Sequence, residues 1–204
     1  MDWRKKLKCS LLFGLAVILL LGGKVHGTQT ALAEKLVRLH VIANSDSQQD
    51  QAVKLLVRDQ MLTEVQSLLA GEDNLADAKA KLRAALPALA AAGQAVVDRE
   101  GAPYRVTAAL EQTFFPTKEY EGFSLPAGEY TALRIVLGDG QGANWWCVLF
   151  PPLCTGLASE QVAETAQAAG LTEDEVALIT EQDEGYVFRF RCVDLWEQFC
   201  HLFS

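Results

Sequence analysis

His40, Ser45 and Asp46 are the residue types of a nucleophilic triad, gathered in one short segment of this 204-residue chain. A triad needs side chains that converge from a scaffold, and geometry is what identifies it. A strand would send His40 and Asn44 to one face and Ser45 to the other. No Gly-x-Ser-x-Gly elbow accompanies them. His40 is therefore expected as a satisfied strand histidine beside a helix N-terminus, and no catalytic residue is assigned. Asn44, Asp46, Gln48 and Asp50 alternate like the start of a calcium loop. Gln49 replaces the required glycine, however, and Leu55 the closing glutamate. His26, His40 and His201 are scattered, with no His-Glu-x-x-His. No metal or cofactor is expected. Gly138-x-Gly140-x-Gly142 would cradle a phosphate only ahead of a helix. A strand follows instead, so the glycines read as a hairpin loop. Nothing marks two aspartates as the matched pair of an aspartic protease.

Cysteine and tryptophan carry the remaining chemistry. Cys9 lies in the leader. Cys192 and Cys200 would stand roughly 12 Å apart in one helix, beyond the ~6.8 Å reach of a disulfide. Cys147 and Cys154 flank Pro151-Pro152, which can turn the chain, and a bridge between them is expected if the domain is exported. Two buried thiols are the alternative. Trp145 and Trp146 are adjacent, so a strand sends them to opposite faces. At least one should enter the core, and exposed aromatics are enriched at interface hot spots.

The leader sets the expected topology. Arg4, Lys5, Lys6 and Lys8 precede an uncharged apolar run over 11–21, the pattern of a secretory signal over 1–27 with a cut after Gly27. An uncleaved membrane anchor is the competing reading, although the run is short for a span. The leader holds five cations against Asp2, so removing it takes the net charge from −8 to −12. An acidic body repels nucleic acid and anionic lipid, and neither is expected as a partner.

Periodicity supplies the scaffold. Residues 36–43 read as a strand. Ser47 with Asp50 is close to a capping box, opening a helix on Val53, Leu56, Val57, Met61, Val65, Leu68 and Leu69. A second helix begins near Asn74, with Pro87 expected to kink or restart it and its end at Gly93 or Gly101. Tyr104 to Phe115 alternates as a half-buried strand with Phe114 on the inward side. Tyr130 to Leu137 is a second strand. Trp145 to Phe150 is a third, expected to be central and to form a hairpin with the second. Helices follow over 159–169 and 172–180, then a strand over 186–190 and a helix over 195–203. The expectation is one α+β or α/β domain over 35–204. It holds a mixed sheet of about four to five strands packed with the helices of the first half.

Three blocks carry a family resemblance. The first is Leu39-His40-Val41-Ile42-Ala43-Asn44-Ser45-Asp46-Ser47 with Asp50-Gln51-Ala52, Lys54 and Val57-Arg58-Asp59. The second is Phe115-Pro116-Thr117-Lys118, Gly122-Phe123 and Leu125 to Tyr130. The third runs from Leu133 to Gly138 and from Asn144 to Cys154. Together, and in this order, they resemble stage II sporulation protein R. The resemblance implies an exported, non-enzymatic signal. Such a protein acts in the space between forespore and mother cell and switches on a membrane-embedded aspartic peptidase that processes the sigma-E factor precursor. Receptor contacts are then expected on Asn44, Ser45 and Asp46 and on Trp145 and Trp146. A secreted envelope hydrolase is the alternative, told apart by unaided substrate turnover. An envelope structural protein is a third class.

Overall fold

A computed structural model of the chain describes residues 27, 29–153 and 159–180. The leader over 1–26, Cys154, and the elements expected over 186–190 and 195–203 lie outside the described residues.

The sheet is four-stranded and mixed, in the order β2-β5-β1-β6. Its strands are β1 (Val37–Ile42), β2 (Val106–Phe115), β5 (Gly128–Leu137) and β6 (Asn144–Phe150); β3 (Lys118–Tyr120) and β4 (Phe123–Leu125) form a separate hairpin. β1 pairs parallel with β5 and antiparallel with β6. The Gly138–Gly142 segment is therefore no hairpin loop. It carries the chain from β5 across the end of β1 to β6. Nor is β6 central: it is an edge strand whose apolar run reports two covered faces, not two paired edges.

Helix α1 (Gln48–Leu68) starts where Ser47 accepts from the Asp50 amide, and α2 (Leu75–Arg99) starts where Asn74 accepts from the Ala76 and Asp77 amides. α2 runs unbroken through Pro87 and stops beyond Gly93, at Arg99. The alanines and leucines flanking Pro87 are strong helix formers, and contact with the core holds both halves. Gly101, at φ 69°, turns the chain away.

The two faces of the sheet are buried differently. Leu39, Val41, Leu133, Ile135, Cys147 and Leu149 face α1 and α2, meeting Val57, Met61, Leu82 and Val96. The other face carries Phe115, Tyr130, Ala132 and Val148 under Leu32, Leu36, the β3–β4 hairpin, α3 (Ser159–Ala168) and α4 (Glu173–Thr180). The expected layer of first-half helices is thus half the arrangement. Two inward positions differ from expectation. Phe114 is exposed while Phe115 is fully buried on the opposite face, and Leu56 lies off the buried stripe of α1. α4 opens with a reciprocal cap: the Thr172 amide donates to Glu175 Oε2 (2.7 Å) and the Glu175 amide to Thr172 Oγ1 (3.3 Å). Lys35 Nζ reaches the same Glu175 carboxylate at 2.6 Å and ties the segment before β1 to α4.

Candidate functional site

The polar loop after β1 closes on one carboxylate. Asp50, buried in the first turn of α1, accepts from Ser45 Oγ (2.6 Å), Asn44 Nδ2 (2.9 Å) and Tyr104 Oη (3.0 Å). The hydrogen bonds from Ser45 and then Asn44 hold its carboxyl below the usual aspartate range, against opposing burial. Tyr104 is pushed up to about 12, by burial first and by Asp50 second. The loop also grips the crossing segment between β5 and β6. Asn44 Oδ1 accepts from the Asp139 amide at 3.0 Å, and Asp46 Oδ1 from the Ala143 amide at 2.6 Å. Lys54 Nζ, buried one turn along α1, donates to the Ala143 carbonyl (3.0 Å) and to Gln51 Oε1 (2.6 Å). Segments nearly a hundred residues apart are thereby fixed in one corner.

β6 leaves this corner directly. Val41 pairs with Trp145 and His40 with Trp146. As expected of a strand, the two indoles take opposite faces, and both are half-buried. The Arg58 guanidinium lies 5.0 Å from the Trp145 ring centre, and Lys118 Nζ lies 4.0 Å from that of Trp146. Asn44, Ser45 and Asp46 lie beyond the end of β1, whereas Trp145 and Trp146 lie alongside it on β6, on opposite faces of the sheet. The polar atoms of Asn44 and Ser45 are spent inside the protein, however, and only Asp46 of the loop trio is well exposed. Asp50, absent from the expected contact residues, joins the loop, the helix and Tyr104.

On the second face of the sheet, Arg38 is completely buried. Its Cζ lies 3.9 Å from the Phe115 ring centre and 4.7 Å from that of Tyr130, and Nη2 donates to Tyr120 Oη at 2.7 Å. His40, two residues on, meets Asn144 Oδ1 through Nε2 at 2.8 Å. Burial, above all, pulls its pKa below the ordinary histidine value. Its Nδ1 has no partner among the described residues, so the satisfied strand histidine expected from sequence is hydrogen-bonded through Nε2.

Comparison with known proteins accounts for this frame. The family model described as stage II sporulation protein R matches residues 33–160. The chain belongs to the stage II sporulation protein R family. The stage II sporulation protein R of Bacillus subtilis (strain 168) is 39% identical to it over 131 residues, which cover 64% of this chain and 58% of that relative. The match therefore spans little more than half the relative's length. No solved structure matches. The family region takes in the whole sheet, α1, α2 and the β3–β4 hairpin, and with them every residue of the corner. The family is named for a stage of sporulation and not for a reaction.

Cys147 also lies within the family region, fully buried in β6 and disulfide-bonded, with its partner cysteine outside the described residues. Pairing with Cys154 is the expectation to test. Digestion of the unreduced full-length chain should give a peptide holding Cys147 and Cys154 that gains two hydrogens on reduction. A Cys147 peptide cross-linked to Cys192 or Cys200 would refute that pairing.

Proposed function

We propose that this chain is an exported signalling protein of endospore formation. It acts in the space between forespore and mother cell, and it activates a membrane-embedded aspartic peptidase that matures the sigma-E factor precursor. The observation that carries this reading is family membership across the entire sheet and both first-half helices. The leader over 1–27 supports it, serving as a cleaved signal or as a membrane anchor. On this reading the protein works by contact, without catalysis of its own.

A ligand shifts its receptor only through differential affinity for two states. The proposed contact surface is the edge of β6 with the loop beside it. Trp145 backed by Arg58 and Trp146 backed by Lys118 present aromatic faces on either side of the strand, the residue types that dominate interface energetics. Asn44 and Ser45 contribute by holding the loop in shape, and Asp46 by its exposed carboxylate.

Co-expression of the full chain with the peptidase and the precursor tests both levels. The wild-type chain is expected to trigger precursor cleavage. Trp145→Ala and Trp146→Ala are each expected to cost about 2 kcal/mol of binding, some thirty-fold, while the chain stays folded. Asn44→Ala should lose activity together with stability, and Asp46→Ala should lose activity with the smaller stability change. Wild-type processing by all four variants would remove this surface. Substrate turnover by the purified chain alone would replace signalling with hydrolysis.

A further inference from the structure

A fully buried guanidinium is ordinarily paired with a carboxylate, because desolvating a lone charge is expensive. Arg38 is not so paired: no acidic side chain forms an ion pair with it among the described residues. Its side-chain hydrogen-bond partner among the described residues is the neutral phenol of Tyr120, and burial pushes the pKa of that phenol up. Nε and Nη1 have no acceptor among the described residues. Nor are they alone. Nε1 of Trp146, on the same face of the neighbouring strand, is likewise a buried donor without an acceptor among the described residues, whereas His40, whose Nε2 donates to Asn144 Oδ1, presents Nδ1 as an acceptor. His40 lies 5.8 Å from Trp146 and 5.7 Å from Phe115, centre to centre, and Phe115 lies against Arg38. The free N–H groups of Arg38 and Trp146 and the aromatic faces thus share one patch, in which donors outnumber acceptors.

The patch has a cover and a rim. The β3–β4 hairpin pairs only with itself. From it Tyr120 holds Arg38 and stacks on Phe123 at 4.7 Å, while Lys118 sits over Trp146. The cover makes no backbone ladder with the four-stranded sheet and is held to this face by side chains, with Phe123 and Leu125 buried in its core. The rim lies at His40, with exposed Asn144 and half-buried Lys118 beside it. Arg134, level with His40 on β5, is engaged with Glu111 at 3.0 Å.

We propose that Arg38, together with the indole N–H of Trp146, recognises a single carboxylate carried by a partner polypeptide. One uncompensated cation matches one negative charge, and guanidinium pairs with carboxylate through strong, short hydrogen bonds. A phosphate dianion fits less well, since the chain already carries a net charge of −8 and this patch holds one buried cation. The polypeptide source rests on the signalling reading above, whereas the carboxylate site itself does not.

The test is a titration of the 15N-labelled full-length chain in detergent with sodium acetate, against sodium chloride at matched ionic strength. The expected result is a saturable shift of the Trp146 indole N–H and the Arg38 Nε–H, absent from Arg38→Met. Arg38→Met should also melt higher than wild type, because methionine fills the aromatic slot without a buried charge. Tyr120→Phe frees Nη2 and should tighten acetate several-fold, which keeps the proposal testable should Arg38→Met not fold. Absence of a saturable acetate shift in the wild-type chain overturns the site, its N–H groups then being satisfied by water. A phosphate response as tight as that to acetate overturns the carboxylate assignment. In the co-expression assay Arg38→Met should fail to trigger processing. If it is folded, blind to acetate and fully active there, the partner polypeptide is not the source of the carboxylate. Failure of the wild-type chain in that assay also removes the polypeptide source, and leaves the acetate result standing.

Discussion

Asp50→Ala is expected to lower the unfolding free energy by about 4 kcal/mol, the largest single loss in the polar corner. The substitution leaves Ser45 Oγ, Asn44 Nδ2 and Tyr104 Oη facing a space without an acceptor. Each donor loses a bond to a charged group, worth about 1.5–3 kcal/mol, and the site is too buried for water to restore all three. Asn44 then loosens its hold on the Asp139 amide, so the damage spreads to the segment between β5 and β6. Thermal unfolding of the full-length chain, followed by circular dichroism, should fall by about 10 °C. Asp50→Asn retains one acceptor oxygen and should cost about half as much. A loss below about 1 kcal/mol for the alanine variant would mean that the carboxylate organises nothing.

The same residue fixes the response to acid. Hydrogen bonds keep its carboxyl below the usual range in the folded protein, so the unfolded chain takes up the proton first. Its contribution is complete above the ordinary aspartate value and is lost as pH falls below about 4, through the folded value. Stability measured from pH 7 downward should therefore decline less steeply in Asp50→Asn. Some acid sensitivity must persist. Glu72 is also held low, by Lys81 foremost. For Glu175, burial pushes upward most strongly, and Lys35 and Thr172 together outweigh it and hold the carboxyl low.

Features written in consecutive residues were legible in the sequence. Ser47 and Asn74 start their helices as capping chemistry demands, Thr172 and Glu175 form their reciprocal cap, and Pro116 and Pro151 bound their strands. Pairing was not legible, because periodicity describes a strand's faces and leaves its edges unspecified. β5 and β6 are separated by a glycine-rich stretch that looks like a turn, yet β1, a hundred residues upstream, lies between them. β3 and β4 are three residues each, too short to show alternation. Arg38 drew no reading from the sequence, because a strand pattern does not show whether both faces will be covered. Burial of both faces turned it into an unpaired internal charge. The candidate site followed the same division. The loop and the tryptophans stood out by type and position, whereas Asp50 gains its importance from Tyr104, 54 residues away.

Gly142→Ala is expected to cost about 3 kcal/mol, and the reason is the path between β5 and β6. To pass over the end of β1 the chain must lie against the backbone of residues 43–45. The Gly142 amide donates to the Ala43 carbonyl at 3.0 Å, and the Gln141 amide to the Asn44 carbonyl at 3.2 Å. A Cβ at 142 would collide with the carbonyl group of Ser45 and stand 2.9 Å from the Ala43 Cβ. Backbone cannot swing aside as a side chain can, so the crossing segment must lift. Lifting it strains the 2.6 Å bond between the Ala143 amide and Asp46 and the Lys54 contact to the Ala143 carbonyl. Gly71→Ala is the control. Gly71 has φ 70° with nothing near its missing Cβ, so only the left-handed backbone cost of about 1 kcal/mol applies. Urea unfolding of the two variants separates steric crowding from backbone strain. Equal losses would mean that the crossing segment is not packed against the end of β1. Loss of precursor processing in Gly142→Ala, below its unfolding midpoint, would tie the shape of this corner to the signal itself.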